Sequence, residues 1–248
     1  DVNIVDNPNL NVTAVNSIIC IGDAIVLTAS AGYDTYTWTP TVGFTGNTGT
    51  YTPTDLFDNS FSVVATNTNG CSSSGSVNII INDLPVVTAT MSETEICVGD
   101  DVVISANTGM VTYDWSPAVI SGNTGTFTPV LGVTDYSVEV TDANGCIATD
   151  DVSLVINDLP IVDLTVDGAN TTTICLGESI DLLATSGLST YSWTPAVVAV
   201  NPGGVYTPSS DLETTYSVTA TDASGCENSD NVIITINNIP NPGPIIFN

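Results

Sequence analysis

The 248-residue chain carries 27 Asp and Glu against no Lys, Arg or His, for a formal charge of −27 at pH 7. Nucleic-acid binding needs cationic side chains on phosphate, so that class is excluded, as is attraction to anionic membrane surfaces. The same gap removes the Ser-His dyad, the Schiff-base lysine and the phosphate clamp, so no enzymatic activity and no catalytic or cofactor-binding residue is expected.

With 42% hydrophobic residues the chain is nevertheless a folding sequence. No apolar run approaches the roughly 20 residues of a membrane span, so membrane insertion is not expected. Residues Asp1–Leu10 (D-V-N-I-V-D-N-P-N-L) resemble Asp151–Pro160 (D-V-S-L-V-I-N-D-L-P). Residues 1–7 are therefore read as the closing strand of a preceding repeat, or as a strand donated to a neighbour.

Three copies of one pattern follow, each roughly 75–80 residues long. Each copy opens with a first strand and a Cys-x-Gly-acid turn: Cys20-Ile21-Gly22-Asp23, Cys97-Val98-Gly99-Asp100 and Cys175-Leu176-Gly177-Glu178. A second strand places Ile25/Leu27/Ala29, Val102/Ile104/Ala106 and Ile180/Leu182/Ala184 on one face, the alternation of a half-buried strand. Eighteen residues after each Cys comes a Trp, in Tyr36-Thr37-Trp38, Tyr113-Asp114-Trp115 and Tyr191-Ser192-Trp193. Trp38, Trp115 and Trp193 are read as core aromatics of a third strand rather than sugar-stacking platforms.

A Gly-, Asn- and Thr-rich stretch leads to Thr52-Pro53, Thr128-Pro129 and Thr207-Pro208, with Gly-Asn-Thr-Gly-Thr shared by 46–50 and 122–126. Next come Phe61–Cys71 (F-S-V-V-A-T-N-T-N-G-C), Tyr136–Cys146 (Y-S-V-E-V-T-D-A-N-G-C) and Tyr216–Cys226 (Y-S-V-T-A-T-D-A-S-G-C). Each reads as a strand, a tight turn and a Cys, with Asn144-Gly145 supplying the φ > 0 residues of a hairpin turn. The last strand presents Val77/Ile79/Ile81, Val152/Leu154/Ile156 and Val232/Ile234/Ile236.

Seven or so short strands per copy, with a core Trp on the third, predict an all-β protein of three tandem immunoglobulin-like β-sandwiches. The repeats fall at 8–85, 86–160 and 161–240, and 241–248 is a tail or the start of another repeat. Asn82-Asp83-Leu84-Pro85 and Asn157-Asp158-Leu159-Pro160 are short joints that Pro keeps extended, which predicts a rod about 100–130 Å long.

I-C-x-G-[DE], Y-x-W-x-P and T-x-Y-S-V-x-x-T-D-x-x-G-C together resemble the tandem Ig-like/PKD-like, SprB-type repeats of Bacteroidota cell-surface adhesins. Those proteins are exported by the type IX secretion system and include gliding-motility adhesins. The resemblance covers nearly the whole chain; Phe61, Asn67 and the Ser116 that follows Trp115 depart from it. It implies a secreted, multi-domain, adhesive or stalk-like surface protein. The leading expectation is a non-catalytic structural segment of an adhesin, stalk or extracellular filament, whose partners are neighbouring repeats or copies of itself. The alternative is a module of a secreted enzyme that binds a surface glycan or a protein.

Asp83 and Asp158 at the joints, and Asp142 and Asp222 in the turns before Cys, are candidate ligands of a structural Ca²⁺, which takes oxygen donors; solvated carboxylates are the plainer reading. Cys20, Cys71, Cys97, Cys146, Cys175 and Cys226 are read as disulfide cysteines of an oxidising, extracytoplasmic compartment. Pairing within repeats (Cys20–Cys71, Cys97–Cys146, Cys175–Cys226) is one possibility. Strand direction favours another, Cys20–Cys146 and Cys97–Cys226, which leaves Cys71 and Cys175 for neighbouring repeats or subunits. Cyanogen bromide, cutting after Met91 and Met110, separates the two: fragment 1–91 comes free without reductant only if pairing is within repeats.

Overall fold

A computed structural model describes residues 9–40, 43–167, 171–196, 202–212 and 214–240. The expected closing strand at 1–7 and tail at 241–248 lie outside the described residues. No helix occurs among the described residues, and the elements are 23 β-strands. By compactness the chain falls into two units, residues 1–91, 104–126 and 136–152, and residues 92–103, 127–135 and 153–248.

Repeat 1 contributes β1 (Val12–Ala14), β2 (Ile18–Cys20), β3 (Ile25–Ala29), β4 (Thr35–Thr39), β5 (Thr48–Tyr51), β6 (Ser60–Thr66), β7 (Ser72–Asn78) and β8 (Ile80–Asn82). One sheet has the order β1-β3-β5 and a second β4-β6-β7, with β2 paired to β8. Repeat 2 supplies the equivalents β9 (Ala89–Met91), β10 (Glu95–Cys97), β11 (Val102–Ala106), β12 (Thr112–Ser116), β13 (Thr124–Phe127), β14 (Asp135–Thr141), β15 (Ile147–Ser153) and β16 (Val155–Asn157). Repeat 3 supplies β17 (Leu164–Val166), β18 (Thr171–Cys175), β19 (Ile180–Ala184), β20 (Thr190–Thr194), β21 (Gly203–Tyr206), β22 (Thr215–Thr221) and β23 (Glu227–Asn237). Its sheets are β17-β19-β21 and β18-β23-β22-β20. Two facing antiparallel sheets of this order, entered by a strand that pairs in parallel with the last one, form an immunoglobulin-like sandwich.

The cores follow the alternation. Phe61, Val63 and Ala65 of β6, and Tyr216, Val218 and Ala220 of β22, are buried, alternating with outward Ser62 and Val64 in one strand and Ser217 and Thr219 in the other. In repeat 1 they pack with Leu27, Ala29, Trp38 and Ile79; in repeat 3 the cluster joins Leu182, Trp193 and Ile234. Trp38, Trp115 and Trp193 are 4%, 5% and 8% exposed.

Two expectations change. The single first strand is two: β1 pairs antiparallel with β3, and after a three-residue break β2 pairs in parallel with β8, a pair whose repeat 3 equivalent, β18 and β23, belongs to the second sheet. The handover is visible at Ile79, whose N–H donates to Asn59 O, and at Ile80, whose N–H donates to Ser17 O. The hairpin turn also differs, because Gly145 takes φ +84° whereas Asn144 has no positive φ. Asp142 N donates to Cys146 O at 2.9 Å, and Gly145 N to Asp142 O at 3.2 Å. This is a three-residue loop in which one left-handed glycine closes a type I turn, not a turn with two left-handed residues.

Candidate functional site

The cysteines all lie at turns, of which each repeat has two kinds. The first is the Cys-x-Gly-acid turn at the end of the parallel pair. Asp23 N, Asp100 N and Glu178 N donate to the carbonyls of Cys20, Cys97 and Cys175 at 3.0–3.1 Å. Gly22, Gly99 and Gly177 occupy φ +90°, +98° and +92°, the left-handed position this turn requires. The acid reaches back: Asp23 Oδ2, Asp100 Oδ2 and Glu178 Oε2 accept the N–H of Cys20, Cys97 and Cys175 at 3.1, 3.2 and 2.7 Å. Ile21, Val98 and Leu176 then donate to Asn82, Asn157 and Asn237, fixing the cysteine beside the far end of the last strand.

The second kind is the hairpin turn at the near end of that strand. Asp142 Oδ1 accepts the N–H of Asn144 and of Cys146, both at 2.8 Å. Asp222 Oδ1 does the same for Ser224 and Cys226, at 2.8 and 3.0 Å. In repeat 1 the amide oxygen of Asn67 takes this place, accepting from Asn69 and Cys71. An uncharged oxygen fills the position, so the turn uses an acceptor and not a charge.

That accounts for two of the candidate calcium ligands, Asp142 and Asp222, as turn caps; Asp83 and Asp158 are exposed at the joints. Among the described residues no group of three or more His, Cys, Asp or Glu is arranged to hold a metal ion. Other carboxylates also accept N–H groups: Asp150 Oδ2 from Ala89 and Asp230 Oδ2 from Leu164, both at 2.8 Å. With no Lys, Arg or His in the sequence, carboxylates here take their hydrogen bonds from backbone N–H, hydroxyl and Asn amide groups, as Glu95 does from Asn157 Nδ2 and Asp211 from Asn238 Nδ2.

The disulfides join turns of opposite kind in successive repeats. Cys20 bonds Cys146 and Cys97 bonds Cys226, with Cα–Cα distances of 5.6 and 5.5 Å. Within one repeat the two turns lie at opposite ends of the last strand: Cys20 pairs with Asn82, whereas Cys71 immediately precedes β7. Eleven strand residues separate those positions by about 36 Å, far beyond the roughly 7 Å a disulfide can span. Of the two pairings open from the sequence, the structure contains the one between repeats. Cys71, partly buried, and Cys175, exposed, are free thiols, so these two of the six disulfide candidates are unbonded in the structure.

Several supporting residues escaped the sequence reading. The hydroxyls of Tyr36, Tyr113 and Tyr191 donate to the carbonyls of Ser30, Asn107 and Thr185 at 2.8–3.0 Å. They also accept the N–H of Tyr33, Met110 and Leu188, which clamps the loop between second and third strands. The threefold Y-x-W was the signal. Trp38 Nε1 and Trp115 Nε1 donate to Gly46 O and Gly122 O at 3.0 Å, main-chain carbonyls at the first residue of the shared Gly-Asn-Thr-Gly-Thr. Its second glycine is sterically required: a Cβ on Gly49 would lie 2.3 Å from the Phe44 ring, and one on Gly125 2.7 Å from Ile120. The prolines after each Trp, Pro40, Pro117 and Pro195, follow cis peptide bonds.

No protein-family model matches the chain. No curated protein matches it either. Among solved structures, the N-terminal eight Ig domains of Down Syndrome Cell Adhesion Molecule align with 14% identity and a TM-score of 0.47, over 90% of this chain and 36% of that one. This chain thus spans about a third of that structure. Three N-terminal domains of the bacteriophage RB49 Highly Immunogenic Outer Capsid protein align with 15% identity and a TM-score of 0.35, over 94% and 99% of the two chains. A Ca²⁺-stabilized, ice-binding adhesin of an Antarctic bacterium gives 13% identity and a TM-score of 0.36, over 96% and 76%.

Proposed function

We propose that the chain is a non-catalytic structural segment of a bacterial cell-surface protein, a stalk or filament element built of disulfide-stapled Ig-like repeats. The observation that carries this reading is the position of the two disulfides. Both join one repeat to the next, where they hold the order and spacing of repeats, and neither ties together the two sheets of a single repeat. Disulfides persist in oxidising compartments, which supports an extracellular or cell-surface location. The parent protein is of the class the sequence motifs resemble, the type IX-exported surface adhesins of Bacteroidota, gliding-motility adhesins among them.

The alternative, a glycan- or protein-binding module of a secreted enzyme, has one observation on its side: Phe57 is 88% exposed. It lies in the loop between β5 and β6 and not on a sheet face, whereas all three Trp are buried, so the structural reading is preferred. Small-angle scattering tests it. A rod of about 100–130 Å gives a radius of gyration of about 30–38 Å, whereas a compact particle of this length gives about 18 Å. The compact value overturns the stalk reading, and binding to a glycan array that Phe57→Ser abolishes would establish the alternative.

A further inference from the structure

We propose that the loops β5–β6, β13–β14 and β21–β22, one in each repeat, are three docking tips for a basic polypeptide that carries apolar side chains. Phe57 and Leu212 are the two most exposed large apolar side chains among the described residues, at 88% and 85%. In repeat 2, Val130 and Leu131 are 70% and 53% exposed. A single exposed apolar residue needs no explanation. Here the same loop presents one in every repeat, although its sequence changes from D-L-F-D-N (55–59) to V-L-G-V-T (130–134) and S-D-L-E-T (210–214).

Each loop is held in place, and each by different chemistry. In repeat 1, Asp55 Oδ1 accepts the N–H of Phe57 and of Asp58, at 2.8 and 3.2 Å. In repeat 2, Val133 N donates to Val130 O at 3.1 Å around Gly132, which sits at φ +90°. In repeat 3, Leu212 N donates to Ser210 Oγ at 3.2 Å, and Asp211 Oδ2 accepts from Asn238 Nδ2 at 2.6 Å. The end of every loop is pinned as well: Ile79 N, Leu154 N and Ile234 N donate to Asn59 O, Thr134 O and Thr214 O at 2.7–2.9 Å. Three unrelated turns thus do one thing, which is to hold an apolar side chain out in solvent. A loop ordered in advance loses less entropy when it binds.

The charge around the tips defines the partner. Asp55 and Asp58 flank Phe57, Asp211 precedes Leu212, and Asp135 follows the repeat 2 loop, with no Lys, Arg or His in the chain to offset them. A second copy, a nucleic acid or an anionic lipid surface would bring like charge to these carboxylates. A segment that places Leu or an aromatic residue between arginines brings apolar surface for the tip and guanidinium groups for the carboxylates. A sugar ring could stack on Phe57, but Val130, Leu131 and Leu212 offer it no aromatic face. Even Phe57 buries at most about 150–250 Å², against roughly 800 Å² per partner in a standard interface. Single contacts are therefore weak, and affinity comes from engaging several tips of one chain.

The test uses the full chain and a synthetic peptide of three Arg-Leu-Arg segments joined by Gly-Ser linkers, with binding read by calorimetry. This peptide should bind at least about tenfold tighter than its Arg-Ser-Arg counterpart of equal charge, and at least about tenfold tighter than a one-segment version. Combining Phe57→Ser, Val130→Ser, Leu131→Ser and Leu212→Ser should abolish the advantage of Leu over Ser. Val15→Ser, at an exposed position between β1 and β2, should leave it intact. Equal binding of the two three-segment peptides to wild type would mean plain attraction to a polyanion and would overturn the proposal. So would an advantage that survives the fourfold variant, one that Val15→Ser removes equally, or glycan binding at Phe57 without peptide binding. Phe57→Trp decides the matter if the fourfold variant misfolds. The three native Trp are buried, so the new emission should shift to the blue with the Leu peptide and stay unshifted with the Ser peptide; no difference between them refutes the tip. The inference does not rest on the stalk reading: a compact radius of gyration would refute that reading alone, and equal peptide binding would refute this one alone.

Discussion

Repeat 1 and the two later repeats solve one packing problem in opposite ways. In repeats 2 and 3 the last strand carries Asp150 and Asp230, whose carboxylates reach across to the N–H groups of Ala89 and Leu164 on the first strand. Repeat 1 has Gly75 at the equivalent place. A Cβ there would lie 2.8 Å from Val12 and 2.9 Å from the carbonyl oxygen of Leu10, so the first strand has moved into the space a side chain would need. A polar strut and a direct backbone approach both close the open side of the sandwich. In a cation-free sequence, then, an acidic residue is retained where an N–H group needs an acceptor, and it is dispensable where the backbone comes closer.

The largest effect separates the bonded cysteines from the free ones. Cys146→Ser opens a disulfide spanning 126 residues, for which chain entropy predicts a loss of about 4–5 kcal/mol. Cys71→Ser should leave the thermal midpoint unchanged, and equal midpoints for the two variants would refute the pairing. Cyanogen bromide gives an independent check: fragments cut after Met91 and Met110 should all stay joined until reduced.

Swapping the two solutions comes next. Gly75→Asp should destabilise repeat 1 by about 2–3 kcal/mol through overpacking, read as faster hydrogen exchange in β1. Asp150→Ala and Asp230→Ala should each cost about 1–2 kcal/mol, the range for a part-buried hydrogen bond to a charged acceptor, with Asn restoring much of it. If Gly75→Asp proves neutral, the close approach of β1 is not what excludes a side chain.

A smaller effect concerns the hairpin turns. Asp142→Asn should change stability by no more than about 0.5 kcal/mol, because Asn67 already serves in repeat 1, whereas Asp142→Ala should cost about 1 kcal/mol as the turn loses its acceptor. Added Ca²⁺ should not shift the midpoint of either.

The smallest effect appears only in alkali. The Tyr51 hydroxyl donates to Asp58. That hydrogen bond, followed by burial and the charges of Asp58 and Asp55, pushes the phenol up from 10.0 to about 12. Burial raises Tyr136 as well. A raised phenol binds its proton more tightly when folded, so its contribution is complete below pH 10 and fades as pH climbs from 10 towards 12. Repeat 2 has Phe127 where repeat 1 has Tyr51. Tyr51→Phe should therefore remove a phenolate transition near pH 12 from an absorbance titration and blunt the alkaline loss of stability in repeat 1.

Strands and core were legible because their signal is local. Period-2 alternation in Phe61–Ala65 or Tyr216–Ala220, and a Gly two residues after Cys20, Cys97 and Cys175, need no knowledge of the rest of the chain. The division of the first strand into β1 and β2 was not legible, since which sheet Ile18 joins depends on β8, some 60 residues downstream. Asn144-Gly145 looked like a two-residue turn because the sequence does not show that Asp142 caps it. The cysteine pairing needed the direction of each strand. Only with β2 and β8 in register does it become plain that Cys20 and Cys71 lie at opposite ends of one repeat.

The crossing order of the two disulfides has a consequence for breakage. Between the bonded pair Cys20/Cys146 and the bonded pair Cys97/Cys226 run three stretches of polypeptide: 20–97, 97–146 and 146–226. Each connects the same two covalent nodes, so this part of the molecule is a three-ply cord made by one chain doubling back through sulfur. A protease nick in any one ply leaves the others to hold the two ends together, and even cuts in two different plies do not part them. Pulled until every strand unravels, the cord can lengthen only as far as its shortest ply, 97–146, allows. Reduction alone turns three plies back into one.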